Sequence, residues 1–338
     1  MFQNKKILIT GGTGSWAKEL VSQLLNTFSN VAEIRIYSRG EHKQVELKRF
    51  FKNSPKLKFI IGDVRDKNIL SFAMKDIHTV FHLAALKHVP VCEENPWEAV
   101  LTNIYGTQNI IECAVANSVS QVVDISTDKA VEPFNLYGVT KSCGEKLIVN
   151  ANQYYKSTKP STKFFCIRGG NVLGTNGSVI PLFIEQIRSK NEITVTDGSM
   201  TRFLMSTKSA IELIFQAVRI SQGGEIFVMK MPAASVSTIA ASMKELFGNK
   251  KTRIKYIGRR PGEKIHEMLI SSNEVERTYE NSKNFYVILP QIKNDALEKK
   301  YRKSQHVRFQ YFSSDTTHML TVNELNSMIN VESYNWTN

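Results

Sequence analysis

The chain has no Cys-X-X-Cys pair and no cysteine–histidine spacing suited to zinc. Its four cysteines, Cys92, Cys113, Cys143 and Cys166, are scattered through segments that read as helix or strand. This excludes a disulfide framework and a zinc module, and it fits buried thiols in a reducing, cytoplasmic compartment; no metal site is expected. No apolar run approaches the roughly 20 residues that span a bilayer, so no membrane association is expected. The apolar stretch before Gly11 is too short for a signal peptide and reads as a first strand. Repeats and low-complexity tracts are missing. Acidic side chains are the scarcer sign, 31 against 44 Lys and Arg, for a formal net charge of +13. Yet no dense run of lysine or arginine occurs, which weighs against nucleic acid. A basic surface, or a pocket for a di-anionic small molecule, accounts for the charge.

What is present begins at the N-terminus. The 338 residues allow one large domain or two unequal ones. Lys6–Thr10 reads as a short buried strand. Gly11-Gly12-Thr13-Gly14-Ser15-Trp16-Ala17 follows, then an amphipathic helix to about Leu25. Strand, glycine turn and helix in that order form the context of a dinucleotide fingerprint. Gly11 and Gly14 permit a tight turn and close approach to a pyrophosphate, and the helix start offers free N–H groups. Ala17 stands where a third glycine is common. The second strand, Glu33–Tyr37, ends in Ser38-Arg39, with Lys43 a turn later. An acid here would grip ribose hydroxyls and select NAD. Arg39 and Lys43 suit a 2′-phosphate instead, so NADP is favoured, with NAD possible. A third strand, Lys58–Ile61, leads to Asp63-Val64, where Asp63 suits the adenine amino group. A fourth, Thr79–Leu83, ends in Ala84-Ala85-Leu86-Lys87-His88. The alanines let a cofactor lie across the strand ends, and Lys87 and His88 face the substrate side. Pro96–Val119 reads as one long helix, with Asn103 placed to bond neighbouring backbone.

The chain is organised around Ser126–Lys141, STDKAVEPFNLYGVTK. An apolar strand, Val122–Ser126, delivers Thr127, Asp128 and Lys129. After the Pro133 loop, Tyr137 opens a helix with Lys141 four residues on. Four helical residues turn through about 400°, so both lie on one face. An adjacent ammonium favours phenolate, which is what hydroxyl-proton abstraction during hydride transfer needs. Asp128 and Lys129 add an acid and a base for elimination. The spacing recurs at Tyr155/Lys159 and Tyr279/Lys283, without the upstream Thr-Asp-Lys; these read as solvated pairs.

Strands alternating with helices imply a parallel sheet covered on both faces, with ligands beyond the strand C-termini. The fold class is therefore α/β: a Rossmann-type doubly wound parallel sheet with a smaller C-terminal substrate-binding domain. Residues 1–168, with part of 204–230 returning, form the cofactor domain; 169–203 and 231–338 form the substrate region. Within the latter, Gly170-Asn171 and a helix opening near Val179 suit carbonyl contacts. Arg202 and Arg260 lie in irregular segments of the kind paired phosphates ask for. The tail from about Ser282 carries no assigned chemistry.

On these residues the chain resembles extended short-chain dehydrogenase/reductases. More narrowly it is similar to the inverting UDP-N-acetylglucosamine 4,6-dehydratases of pseudaminic-acid and capsule pathways. The motifs are TGGTGS (Thr10–Ser15), YSR (Tyr37–Arg39), LAALKHVP (Leu83–Pro90), STDKAVEP (Ser126–Pro133), YGVTK (Tyr137–Lys141), GNVLG (Gly170–Gly174), GSVIP (Gly177–Pro181), MTRF (Met200–Phe203) and RPGEK (Arg260–Lys264). The resemblance implies that Tyr137, aided by Lys141, takes the 4-hydroxyl proton as hydride leaves C4. Lys129 then removes the C5 proton, Asp128 protonates the departing 6-hydroxyl, and hydride returns to C6. Thr127 holds the C4 oxygen. Gly11, Thr13, Gly14, Ser15, Trp16, Ser38, Arg39, Lys43, Asp63, Val64, Ala84, Ala85, Lys87, Asn103, Tyr137 and Lys141 meet the cofactor. Lys87, His88, Asn171, Val179, Arg202, Arg260 and Glu263 meet the UDP-sugar, with Arg202 and Arg260 on the diphosphate and Glu263 on the uridine ribose. A homo-oligomer, dimer to hexamer, is implied as well. Gly169 stands where the family usually has tyrosine, so a related enzyme making or processing a 5,6-ene sugar is an alternative. So are a UDP-sugar 4-epimerase and a non-catalytic nucleotide-binding protein.

Overall fold

The computed structural model describes residues 1–175, 178–260, 262–281 and 284–331. Gly177 of the GSVIP motif, Pro261 of RPGEK and Lys283 of the third Tyr–Lys pair lie outside them. The first half alternates strand and helix: β1 (Lys6–Thr10), α1 (Ser15–Thr27), β2 (Glu33–Ser38), α2 (Glu41–Phe50), β3 (Leu57–Ile61), α3 (Lys67–Met74) and β4 (Thr79–His82). Then come α4 (Val89–Glu94), α5 (Pro96–Val100), α6 (Gly106–Ala116), β5 (Gln121–Thr127), α7 (Leu136–Tyr154) and β6 (Lys163–Gly169). Ile7, Leu8 and Ile9, like Val122 and Val123, are fully buried on successive residues. A strand covered on both faces needs such unbroken apolar runs.

Among the described residues the main sheet has ten strands. Its parallel part runs β3-β2-β1-β4-β5-β6 and then Ile226–Met229. Chain order reverses between β1 and β4, which opens a crevice at the carboxyl ends. Three further strands, Phe285–Ile288, Thr278–Glu280 and Gln305–His306, extend the sheet antiparallel from Ile226–Met229. The expected domain division is therefore corrected: residues 278–306 belong to the edge of the cofactor-side sheet. Their short alternating pattern hides this, since Phe285, Val287 and Ile288 are core residues only once paired.

A second core, including Leu173, Ile180, Phe183, Ile239 and Met243, is gathered by helices Val179–Lys190, Val236–Phe247 and Val322–Val331. It carries the smaller lobe. The single helix expected over 96–119 is also corrected. It breaks into α5, a π-helical turn at Leu101–Tyr105, and α6. The turn holds Asn103, whose amide grips the backbone of Leu86 from both sides: Leu86 N donates to Oδ1 at 2.8 Å and Nδ2 donates to Leu86 O at 2.9 Å. Single π turns recur where a side chain must be aimed. No helix among the described residues is long and apolar enough to cross a membrane.

Candidate active site

At the end of β1 the chain turns on Gly11, whose φ of +64° favours glycine. A Cβ there would stand 2.8 Å from the backbone of Leu83 and Ala84. Gly12 is equally confined, 2.7 Å from Ile36. The turn thus brings bare backbone to the start of α1, which Gly14 caps without a side-chain bond and whose first turn has no acid. This cradle fits a dinucleotide pyrophosphate. Thr13 and Ser15 are part-exposed on it, while Trp16 packs its ring on the core. Ala84 and Ala85 lie half-buried across the crevice.

At the far end of the crevice, Ser38 is buried, its hydroxyl accepting from Gln44 Nε2 at 3.0 Å. Arg39 and Lys43 stand exposed beside it. Asp63 is engaged by Arg65, through Nε at 2.9 Å and Nη2 at 2.7 Å, with Arg39 3.9 Å away. Burial alone would raise the Asp63 pKa, but these guanidinium partners lower it. Val64 turns its side chain onto Gly106, and its carbonyl accepts from Asn109 Nδ2 at 3.0 Å.

The central stretch assembles as one unit. Thr127 ends β5 and Asp128–Ala130 forms a 3-10 turn. Asn135 caps α7 by accepting from Gly138 N at 2.9 Å. A Cβ at Gly138 would collide with the Lys129 carbonyl, so only glycine lets the first turn of α7 sit on that backbone. Lys129 Nζ donates to Asp128 Oδ1 at 3.0 Å, and Thr127 Oγ1 donates to the same oxygen at 2.9 Å. Asp128 is fully buried, and its Oδ2 has no partner among the described residues. Burial works against the Lys129 ammonium, but Asp128 and then Glu267 outweigh it and raise its pKa.

Tyr137 departs from expectation in sign. Burial raises its pKa more than the charges of Lys141 and Lys129 and the Thr127 hydrogen bond lower it. The ammonium groups reduce a penalty that desolvation sets. Lys141 in turn is buried on Asp124, 3.2 Å from both carboxylate oxygens. Desolvation opposes its charge, yet Asp124 and Tyr137 raise its pKa. Asp124 was missed in the sequence, although a charged residue inside an apolar strand demands a partner. Beside it, buried His82 bonds Thr10 Oγ1 at 2.8 Å, and burial pushes its pKa down to about 4.

Across the cleft, Val89, Pro90, Lys129, Asn135, Asn171, Arg202, Arg260, Gly262, Glu263, Lys264 and Glu267 line one pocket. It brings Lys129, expected as a catalytic residue, together with Asn171, Arg202, Arg260 and Glu263, expected as substrate contacts. Lys87 and His88 border it exposed; surrounding protein, then the Lys129 charge, lowers the Lys87 pKa, and surrounding protein, then Lys87, lowers that of His88. Val179 is not brought there: its side chain packs on the second core. Arg202 is turned inward, with Nη1 donating to Thr201 O at 2.7 Å and Nη2 to Lys264 O at 3.1 Å. Arg260 is exposed, and its backbone N donates to Glu263 Oε2 at 3.1 Å.

Residues to which the sequence reading gave no role hold this wall. Lys264 Nζ donates to Val131 O at 2.8 Å and to Glu132 O at 2.6 Å. Glu267 stands 3.4 Å from Lys129 Nζ. Ser314 Oγ accepts from Glu267 N at 2.9 Å and contacts Thr201 Oγ1 at 2.6 Å. The tail from Ser282, to which no chemistry is assigned, thus supports the site through Ser314. Behind the wall, Arg168 is fully buried between Glu145 and Glu274, at 2.6 Å and 3.0 Å.

Comparison with known proteins fixes the family. Residues 7–289 match the family described as "Polysaccharide biosynthesis protein". The chain belongs to that family. Its curated relatives include a UDP-N-acetylglucosamine 4,6-dehydratase (inverting) from Campylobacter jejuni, 41% identical over 98% of both chains. A UDP-glucose 4-epimerase from Rickettsia bellii is 44% identical over 85% of this chain and 84% of its own. Among solved structures, Pen from Bacillus thuringiensis superposes with a TM-score of 0.89 at 37% identity, covering 98% of this chain and 99% of its own. The family member is therefore an enzyme of the short-chain dehydrogenase/reductase superfamily, in its nucleotide-sugar dehydratase and epimerase branch.

Proposed function

We propose that the enzyme is an NADP-dependent, C5-inverting UDP-N-acetylglucosamine 4,6-dehydratase. Its product would be UDP-2-acetamido-2,6-dideoxy-β-L-arabino-hex-4-ulose, destined for pseudaminic acid or capsule glycans. The observation that carries this reading is the Lys129–Asp128 pair, 3.0 Å apart, beside the Tyr137–Lys141 pair. Oxidation at C4 needs only the second pair; elimination needs an acid and a base as well.

The turn from Gly11 to Ser15 would hold the pyrophosphate, and Arg39 with Lys43 the 2′-phosphate. When bound, the nicotinamide supplies the acceptor and later the donor of hydride. Tyr137 takes the proton of the 4-hydroxyl, with Lys141 and Lys129 favouring its anion. The C4 ketone then acidifies C5–H. One proton moving along the Lys129–Asp128 hydrogen bond turns the ion pair into a neutral amine and a carboxylic acid. The amine accepts the C5 proton and the acid protonates the leaving 6-hydroxyl, so water departs and the ion pair returns. Return of the hydride to C6 and a solvent proton at C5 from the opposite face would complete the inverted product, and Tyr137 would release its proton to solvent. Arg202 and Arg260 would meet the diphosphate, and Glu263 the uridine ribose.

A cytoplasmic location belongs to this reading, supported by four unpaired cysteines. So does a homo-oligomer, supported by exposed Trp97, Tyr105 and Val139 on α5, the π turn and α7. The name of the Rickettsia relative favours a second reading, a UDP-sugar 4-epimerase. Mass spectrometry of the product from UDP-N-acetylglucosamine separates them. Dehydration removes the mass of one water; an unchanged mass would reject the first reading.

A further inference from the structure

Among the described residues Lys129 has two carboxylate neighbours, and one of them lies on its own element. Asp128 is adjacent in sequence, on the sheet side. Glu267 comes from the opposite wall, 3% exposed, with Oε1 3.4 Å from Lys129 Nζ. Its Oε2 is buried without a partner among the described residues. Such an atom in a native site calls for a physical reason. Glu267 is not loosely held. Ser314 fixes its backbone from both sides, with Glu267 N donating to Ser314 Oγ and Ser314 N donating to Glu267 O at 2.7 Å. Next to it Lys264 clasps the carbonyls of Val131 and Glu132, and Asn135 Nδ2 donates to Gly262 O at 3.1 Å. Four contacts therefore dock the 262–267 segment onto the turn that carries Lys129.

We propose that Glu267 is a positioning residue of the reaction: from the substrate wall it holds the Lys129 ammonium and sets how readily Lys129 passes its proton to Asp128. The inference rests on the dehydration reading, because only elimination asks Lys129 to act as a base. The groups facing Lys129 are Asp128 on its own turn, Tyr137 on α7, Lys87 after β4, and Arg202, Lys264 and Glu267 on the substrate wall. Among them only Asp128 and Glu267 are carboxylates. Arg202 Nε is 3.8 Å from the same Glu267 Oε1, so one carboxylate oxygen serves two cations. Glu267 thereby opposes proton loss from Lys129, and Arg202 tempers it. Loss of the Glu267 charge should ease formation of the neutral amine, while loss of Arg202 should hinder it.

The test is the pH profile of C5 deuterium incorporation into UDP-N-acetylglucosamine product, from about pH 6 to about pH 10. The proteins are the unaltered enzyme, Glu267→Gln, Glu267→Asp and Arg202→Met. In Glu267→Gln the rising limb of kcat moves to lower pH by about one unit. In Glu267→Asp, which keeps the charge, the limb stays within a few tenths of a unit while kcat falls. In Arg202→Met the limb moves to higher pH; this variant decides the matter if Glu267→Gln does not fold. A limb common to all the proteins, with only kcat reduced, overturns the inference and leaves Glu267 a structural residue. No C5 exchange in the unaltered enzyme overturns the dehydration reading and this inference together.

Discussion

The two walls of the cleft are built by opposite means. The cofactor wall places Tyr137, Lys141, Asp128 and Lys129 within one short stretch, on the end of a central strand and the start of a buried helix. Its partners are mostly local. The substrate wall draws Arg260, Glu263, Lys264 and Glu267 from an irregular segment; Arg202, expected in another such segment, instead sits on the short strand Thr201–Met205. These are held by residues as distant as Ser314. The first wall is fixed by regular secondary structure and the second by long-range polar contacts. On the proposed reading, the reactive groups would sit on regular elements and most of the sugar-nucleotide contacts on segments freer to vary.

If that contrast holds, damage to the cofactor wall should abolish chemistry, and damage to the substrate wall should tune it. The largest expected effect is that of Tyr137→Phe, which should lower kcat by about a thousandfold or more while NADP(H) still binds; fluorescence titration and product formation check both. Lys129→Met should cost about a hundredfold or more in C5 exchange with cofactor binding intact. Normal exchange in that variant would remove Lys129 from its role.

Behind the walls, Arg168→Met strips two buried carboxylates of their partner and should destabilise the fold by about 3–5 kcal/mol, measured by urea unfolding. His82 offers a pH test of the buried network. Its folded pKa, about 4, lies below the ordinary value of 6.5. The unfolded chain therefore binds more protons as pH falls through 6.5, and the stability contributed by the neutral imidazole, complete above that pH, is progressively lost. The loss between pH 6.5 and 5 should be about 2 kcal/mol, and His82→Asn should flatten it. The smallest effect belongs to the far end of the crevice. Arg39→Ala should weaken NADP against NAD by about tenfold, a change of about 1.4 kcal/mol in relative affinity, measured by calorimetry.

The contrast also explains what could be read from the sequence. Gly11, Gly14, Tyr137 and Lys141 act through spacing on a strand–turn–helix unit, and spacing is what a sequence displays. Asp124 was legible in principle, as a charge within Val122-Val123-Asp124-Ile125. The role of Gly138 was not, because the space it vacates is filled by the Lys129 carbonyl from another element. Glu267, Lys264 and Ser314 each meet a partner more than a hundred residues away, and no local pattern encodes such a meeting. Val179 shows the reverse error. A position beside a glycine turn suggested a ligand contact, but an apolar side chain near a second core follows the hydrophobic gradient instead. The π turn at Leu101–Tyr105 likewise leaves no mark in propensity; the demand for Asn103 at Leu86 creates it.

The central claim is that one cleft combines redox chemistry at C4 with proton movement at C5. Incubation of the purified protein with UDP-N-acetylglucosamine in deuterated water, followed by NMR of the sugar, tests it directly. The account predicts deuterium at C5 together with a new C6 methyl group. A product altered only in configuration at C4, with protium retained at C5, would contradict it.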